Sequence, residues 1–315
     1  MSEDPNARKE QPEPDRPSFV LDRVSYPKVD RAHIVPRMYQ KAFAVDGKVA
    51  VHADGECLLK STRVAGTRPA YYRRDRPDGQ PIDDVEASLS VIEDKAARPL
   101  QDLVAGEPIT AERKGILAQF LAVQMLRGPA FFEQRERLLA PMIEALEAEH
   151  FTPEGLAAAG GDVEVARKNA MDKYMDATQA LLSMLTRSRK LASLLGLMRW
   201  NTLRFDRPAL AYSDHPVVMW PMDAARMQPL AGQQFGPVSA LEVRVPLAPT
   251  VALLMDWVDR TDQDAISLDL TTAAELNAFT VAQADHEWMH RPGAEPELAT
   301  GPLEPLSRLI EPGWV

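Results

Sequence analysis

The sequence predicts an α+β fold with a predominantly helical middle and a small mixed or antiparallel sheet, built from N-terminal and C-terminal strands. Three observations predict it. Short runs of strand character occur within residues 48–60. Apolar residues then recur every three or four positions, the helical period, through much of residues 84–198. Strand-type runs return between residues 200 and 255, before a last helical stretch.

The N-terminal half begins with a predicted hairpin and continues as helices. Residues 48–60 form two short strands around Asp54-Gly55, a dipeptide favoured in two-residue hairpin turns. Pro99 is expected to bend or split the first helix, because proline removes a backbone donor. Three helices are expected. The first starts at Asp84, the second starts after an N-cap at Thr110, and the third runs from Val163 to about Met198.

The C-terminal half is predicted to hold strands followed by a helix. Trp200–Phe205 and Ala209–Ser213 are expected to form a hairpin. A helix with Thr272 as its cap is expected over Thr271–His290. The other expected strands are Val217–Trp220, Glu242–Leu247 and Val251–Met255.

The composition is that of an ordinary globular protein, with 315 residues, 45% hydrophobic residues and a net charge of −10. The acidic balance argues against a broad nucleic-acid coat. Cys57 is the one cysteine, so an internal disulfide is excluded and a reducing compartment is favoured. No signal peptide is recognised, and the uncharged run Gly115–Leu126 is shorter than the ~20 residues of a membrane span. A cytoplasmic protein without membrane association is expected.

The two ends differ from the middle in composition. Residues 1–30 are expected to be a disordered tail, because they are rich in charge and proline and contain little to bury. Residues 31–292 are expected to form a single α+β domain. Residues 293–315 are expected to form a Pro-rich arm, either lying on the domain or loose.

A set of short segments occurs in order along the chain. They are His33-Ile34-Val35-Pro36-Arg37-Met38-Tyr39 with Phe43, Glu86 and Glu93, Gln124, Arg127 and Pro129, Tyr212-Ser213-Asp214-His215-Pro216-Val217, Pro246-Leu247-Ala248-Pro249, and Leu276-Asn277. Together they resemble the uncharacterised bacterial family called domain of unknown function 4238, over nearly all of residues 31–290. The chain departs from that family at His215, where Asn is more frequent, and at Ala248, where Ser is usual. The resemblance implies a shared fold but no known reaction, so function is argued from the residues.

His33 and Arg37 bracket the start of a short predicted helix, Pro36–Phe43, and could converge on an anionic group. In the structural alternative, His33 caps the helix and Arg37 pairs with Glu86 or Glu93.

Glu86 and Glu93 are seven residues apart and therefore share a helix face. They could perform acid–base chemistry or hold a divalent cation. A solvated helix edge is the alternative, and it is favoured for Glu93.

Ser213 and Asp214 directly follow a predicted strand, where open sheets often present functional groups. Asp214 could orient His33 or accept a proton, and Ser213 could be a nucleophile, although no Gly-x-Ser-x-Gly turn surrounds it. Both side chains could instead close the turn through backbone hydrogen bonds.

Gln124 and Arg127 are neighbours on one helix, within an apolar run. Burying Arg127 is costly unless it is paired, and a buried Arg127 that faces Asp214 or Glu86 would be part of a site or of a structural clamp. The sequence leaves open whether this pair belongs to a binding site or to a structural clamp.

His286-Glu287-Trp288-Met289-His290 matches the His-Glu-x-x-His signature of zinc proteases, if the segment is helical. Charged neighbours, Pro292 and an undefined third ligand argue against a zinc protease.

Two segments, 60–76 and 187–207, each hold six basic residues and one acidic residue. They leave local contact with nucleic acid open, although a solvated loop is the preferred interpretation of residues 60–76.

Three hypotheses follow from these residues. The first is a polar cleft that binds an anion or performs hydrolysis, with a small phosphoester or nucleotide as ligand. The second is a non-enzymatic interaction module whose polar network fixes the fold. The third is the zinc metalloprotease. The first hypothesis names His33, Glu86 and Asp214 as catalytic, Arg37, Gln124, Arg127 and Ser213 as ligand-binding, and no metal ligand; whether the protein is an enzyme, and any cofactor, stay open.

Overall fold

The computed structural model describes residues 31–69, 74–75, 81–82, 84–128, 152–166, 177–222, 237–257 and 262–307. The predicted N-terminal tail, residues 1–30, lies outside these ranges. Within them, helices and several sheets are present, and the α+β class is confirmed. Among the helices described, none is both long and apolar enough to cross a bilayer.

The elements follow one another along the chain, with helices concentrated in the middle. The helices are α1 (Arg37–Gln40), α2 (Asp84–Ala105), α3 (Ala111–Met125), α4 (Pro153–Ala158), α5 (Ala177–Leu197) and α6 (Leu270–Ala282). The strands are β1 (Arg31–His33), β2 (Lys48–Ala53), β3 (Glu56–Ser61), β4 (Thr67–Pro69), β5 (Arg74–Asp75), β6 (Pro81–Ile82), β7 (Arg199–Arg204), β8 (Ala211–Ser213), β9 (Val218–Pro221), β10 (Ala240–Ala248), β11 (Val251–Asp256), β12 (Gln263–Ser267) and β13 (Trp288–His290).

Most of these strands belong to two sheets. The four-stranded sheet, in the order β3-β2-β13-β8, is antiparallel and joins N-terminal to C-terminal strands, as predicted. The five-stranded sheet, β12-β7-β11-β10-β9, uses C-terminal strands alone, and β12 runs parallel to β7. The sheet that unites the two ends is therefore the smaller of the two.

The N-terminal elements follow their local sequence signals. Asp54 and Gly55 have φ values of 52° and 80°, the left-handed conformation that a tight hairpin turn requires, and β2 pairs with β3 as predicted. Thr110 caps α3 by accepting a hydrogen bond from the Arg113 backbone N–H at 3.2 Å. α2 continues unbroken through Pro99, so the predicted split does not occur.

The predicted hairpin of Trp200–Phe205 with Ala209–Ser213 is wrong. β7 pairs with β11 and β12, whereas β8 pairs with β13 in the other sheet. Between them, the backbone N–H groups of Ala209 and Leu210 donate to the Pro249 carbonyl at 2.8 and 3.0 Å. These bonds carry the chain from one sheet to the other, which a local strand pattern cannot indicate.

The predicted helix Thr271–His290 is also wrong at both ends. Asp269 is the N-cap, since its carboxylate accepts a hydrogen bond from the Thr272 backbone N–H at 2.9 Å. The helix ends at Ala282, and residues 288–290 form β13. Its continuation is prevented because the backbone N–H groups of residues 285–287 donate to the Asp214 carboxylate.

A buried carboxylate holds the C-terminal arm against the five-stranded sheet. Glu242, on β10, is fully buried and paired with Arg244. The same carboxylate accepts hydrogen bonds from the backbone N–H groups of Leu306 and Ser307, at 2.9 and 2.8 Å. Arg244 lies over the Trp220 ring at 4.8 Å. The part of the arm that the structure describes is therefore docked.

We expect Glu242→Gln to destabilise the protein by about 3–5 kcal/mol, because it leaves the buried Arg244 charge without its partner. The measurement is the free energy of unfolding in urea, with Glu297→Gln on the exposed surface as the control. Equal, small losses of about 0.5 kcal/mol in both variants would contradict this role for Glu242.

Candidate functional site

His33 and Arg37 lie at one place, around Thr62. His33 ends β1 opposite Thr67, and its Nε2 lies 3.1 Å from the Thr62 carbonyl oxygen. Arg37 is exposed at the start of α1, and its Nε is 3.5 Å from the Thr62 hydroxyl. The chain approaches closely here at Gly66, where φ is +59° and a Cβ would lie 3.1 Å from the nearest side-chain atoms. The half-buried imidazole of His33 and the exposed guanidinium of Arg37 therefore both contact Thr62.

Arg127 follows α3 and is buried, with Glu93 of α2 as its ion-pair partner. Glu93 compensates a buried charge, so the solvated-edge interpretation of this residue is wrong. Burial lowers the pKa of His33; the Thr62 carbonyl opposes that shift and the Arg127 charge adds to it. His33, Arg37, Thr62, Glu93 and Arg127 are called the His33 cluster below.

Asp214, buried at the end of β8, binds backbone rather than an open space. Its carboxylate accepts hydrogen bonds from the backbone N–H groups of Asp285 (2.9 Å), His286 (2.9 Å) and Glu287 (3.3 Å), and from Arg68 Nη2 (3.3 Å). Burial and the Asp285 charge raise the pKa of Asp214 to about 6, against the hydrogen bond from the Asp285 N–H and the charge of Arg68. This geometry supports a structural role, and the catalytic role of Asp214 stays a prediction.

Glu287 extends the same network to the loop that carries Thr62. Its Oε1 accepts hydrogen bonds from the Gly66 backbone N–H at 3.1 Å and from Arg68 Nη1 at 3.3 Å. Lys60 approaches the other carboxylate oxygen at 3.7 Å. The sequence did not single out Arg68, which bridges Asp214 and Glu287 in the structure.

The remaining predicted site residues are less closely joined to these groups. The Ser213 hydroxyl donates to the His215 carbonyl at 2.9 Å and accepts from the His215 N–H at 3.2 Å, which closes the turn. Gln124 is buried on α3, and neither atom of its amide has a partner among the described residues. Glu86 lies in α2, but its side chain is outside the described part of the chain.

The zinc-protease helix does not form. His286 is exposed in a turn, Glu287 belongs to the Arg68 network, and His290 lies in β13, so the three side chains share no helix face. His290 instead meets His52 across the four-stranded sheet, with 3.0 Å between their Nε2 atoms.

Two further side chains join His52 and His290. Cys57 lies directly opposite His52 in the β2–β3 hairpin, and the ligand atoms of these three residues lie within 4.8 Å of one another. Glu295 Oε2 is 3.2 Å from His290 Nε2. His52, Cys57, His290 and Glu295 are called the His52 cluster below. The predicted hairpin indicated part of this cluster. His52 and Cys57 lie at equal distances from the two-residue turn, so their side chains point to the same face of the sheet.

The two basic segments are partly internal. Arg199 is buried and donates to the Asp256 carboxylate at 3.0 and 2.8 Å, and Arg204 donates to the carbonyl of Leu103 at 2.9 Å. Lys60 and Arg68 face Glu287, as described above. Among the described residues, these four cations are held by the protein's own acceptors.

These features define an α+β protein whose two halves are joined by a buried network of carboxylates and guanidinium groups. A comparison with protein families matches residues 31–293 to the family described as "Protein of unknown function (DUF4238)". The chain belongs to this family, as its ordered motifs indicated. No curated protein and no solved structure matches it.

We expect Asp214→Asn to lower the free energy of unfolding by about 2–4 kcal/mol at pH 7, because an amide nitrogen would face backbone N–H groups. Asp206→Asn, at an exposed position, is the control. Urea unfolding measures both, and a loss no larger than that of Asp206→Asn would remove Asp214 from the structural network.

The pH dependence of stability follows from the raised pKa of Asp214. The folded value of about 6 exceeds the ordinary value of 3.8, so the proton is held more tightly in the folded state. The stabilisation that comes from this bound proton is therefore fully present below about pH 4 and is lost as the pH rises through about 6. The hydrogen bonds to residues 285–287 account for the loss expected in Asp214→Asn at pH 7. The difference in unfolding free energy between wild type and Asp214→Asn is expected to shrink over that interval. A constant difference would show that Asp214 does not titrate there.

Proposed function

We propose that the His33 cluster binds a small anionic ligand of the phosphoester or nucleotide type. The observation that carries the proposal is the convergence of His33 and Arg37 on Thr62, with contacts of 3.1 and 3.5 Å. The guanidinium of Arg37 is exposed, and its planar donor set suits a phosphate group.

The charges of the cluster support an anion rather than a cation. Glu93 pairs with Arg127, so that buried pair contributes little net charge. Arg37 adds a positive charge that has a neutral hydroxyl as its contact. Burial lowers the pKa of His33, so its ring is neutral at pH 7, and its one N–H donates to the Thr62 carbonyl. The positive charge that an anion meets here is therefore that of Arg37.

Gln124 supplies a further polar group to the proposal. Its amide is buried without a partner among the described residues, an arrangement that costs about 1–3 kcal/mol per group. Arg127 follows the same helix, and its backbone N–H donates to the Gln124 carbonyl at 3.3 Å. A ligand that extends to Gln124 would satisfy the amide and recover that cost.

If the ligand is hydrolysed, His33 is the group best suited to transfer a proton. A neutral imidazole can accept a proton near pH 7, whereas Asp214 accepts four hydrogen bonds from the protein itself. Catalytic roles for Glu86 and Asp214 remain part of the proposal only where the ligand extends toward them.

We expect Arg37→Ala to weaken phosphate and AMP binding by about 10- to 100-fold, the effect of losing a charge-assisted hydrogen bond. Calorimetric titration of the full chain measures this, and Arg63→Ala is the matched control. Arg63 is exposed on the same loop, next to Thr62, and its removal changes the net charge equally. Equal weakening in both variants, or no binding to wild type, would contradict the proposal.

Bound phosphate is also expected to raise the pKa of His33, because a nearby negative charge favours the protonated ring. The starting pKa lies below 6.5, since burial disfavours the charged ring. Imidazole NMR shifts followed against pH, with and without phosphate, measure the change. The exposed His286 is the internal control, and an equal change at both rings would indicate a general salt effect.

A second candidate is the non-enzymatic interaction module. It is favoured by the closed Arg68–Asp214–Glu287 network, which joins three separate segments through backbone and side-chain hydrogen bonds. The edge strand β3 also exposes Leu58 and Leu59, with 52% and 63% of each residue accessible. Failure of His33→Ala to fold would favour this module; a folded His33→Ala that loses phosphate binding would favour the anion site.

A further inference from the structure

We propose that the His52 cluster is a Zn²⁺ site, with His52, Cys57, His290 and Glu295 as the ligands. The site is separate from the His33 cluster and shares no residue with it. It also differs from the His-Glu-x-x-His motif, from which it takes His290 alone.

The sheet places three of the ligands on one face. In antiparallel strands, residues directly opposite each other point to the same side. Cys57 lies opposite His52, and Trp288 also lies opposite His52 from the other neighbouring strand. His290 is two residues beyond Trp288 and therefore shares its face. The ligands thus come from β3, β2 and β13, and Glu295 comes from the segment that follows β13.

The distances among His52, Cys57 and His290 suit a tetrahedral ion, and Glu295 lies beside His290 as the fourth group. Zn–N bonds of ~2.0 Å and Zn–S bonds of ~2.3 Å place neighbouring ligand atoms about 3.3–3.6 Å apart. The Nε2 atoms of His52 and His290 are 3.0 Å apart, and Glu295 Oε2 is 3.2 Å from His290 Nε2. The widest separation among His52, Cys57 and His290 is within 4.8 Å. Cys57 is exposed, so its side chain can rotate to close that gap.

The hydrogen bonds of His290 favour a cation between His290 and Glu295. Its Nδ1 lies 2.9 Å from the Arg291 carbonyl oxygen, which can only accept, so Nδ1 carries the proton. In the neutral ring, Nε2 then presents a lone pair to the Glu295 carboxylate, and these two acceptors repel each other. A proton or a metal ion must lie between them. Fixing of the imidazole through its other nitrogen is typical of metal-bound histidine.

The surroundings favour a nitrogen- and sulfur-seeking ion with a route of entry. Two imidazoles and a thiolate select Zn²⁺ over Mg²⁺ or Ca²⁺, which require oxygen ligands. The His52 ring stacks on Trp288, with 3.7 Å between centroids and an angle of 5° between planes, which fixes its orientation. Glu295 and Cys57 are both exposed. An ion can therefore reach the cluster from solvent.

Bound Zn²⁺ would tie the N-terminal hairpin to β13 of the C-terminal half. Metal binding that requires the folded arrangement of ligands stabilises that arrangement. Thermal unfolding of the full chain should therefore shift to higher temperature with Zn²⁺.

The test is a titration of the chelator-treated full chain with Zn²⁺ against a competing indicator. We expect one ion per chain with a Kd of about 1 µM or tighter. Cys57→Ser and His52→Asn, at exposed and half-buried positions, should each weaken binding by at least about tenfold. His286→Asn is the matched control and should bind as wild type does, because His286 is exposed outside the cluster.

Titration with Co²⁺ is a second measurement, and it distinguishes a metal ion bound at the His52 cluster from a proton. Cys57 is the one cysteine of the chain, so a thiolate-to-cobalt absorption band can arise from this residue alone. The band should appear in wild type and in His286→Asn, and it should vanish in Cys57→Ser. No saturable Zn²⁺ binding, no such band, or equal loss in His286→Asn would overturn the proposal. Neither outcome bears on the anion site at Arg37, which the phosphate and AMP titrations test separately.

Discussion

The Asp214 carboxylate is the constraint on which the rest of the described structure depends. It is buried at the end of β8 and accepts hydrogen bonds from three successive backbone N–H groups, residues 285–287. These bonds turn the chain after α6 and direct it into β13. Because β13 lies between β2 and β8, the same turn joins the N-terminal hairpin to the C-terminal half. Both proposed sites follow from this arrangement.

The turn also determines where Glu287 and His290 point. Glu287 reaches the Gly66 N–H and Arg68, and it thereby holds the loop around which His33 and Arg37 meet. Three residues later, His290 lies in β13 beside His52. Burying charged groups is costly, and removing one partner of a buried pair leaves the other charge uncompensated. Here the arrangement fixes segments that are distant along the chain, as Glu242 does for the C-terminal arm.

The two proposed sites use this framework differently. At the His33 cluster, buried Arg127 is paired with Glu93, and the exposed Arg37 has no acidic partner among the residues that the structure describes. At the His52 cluster, a carboxylate oxygen and two imidazole nitrogens lie close together, which a bound cation would reconcile. The two proposals therefore concern an anion at one cluster and a cation at the other, and the two clusters share no residue.

The sequence by itself determined the α+β class, the Asp54-Gly55 hairpin and the Thr110 cap, because each depends on residues close together in the chain. It also indicated the family, and it singled out His33, Arg37, Glu93 and Arg127 of the His33 cluster, but not Thr62. Only the tertiary structure decided that β7 and β8 lie in different sheets, that the helix predicted through His290 ends at Ala282, and that His290 meets His52 and Cys57. These outcomes depend on hydrogen bonds between distant segments, above all those of Asp214, and such partners leave no periodic pattern in a single sequence.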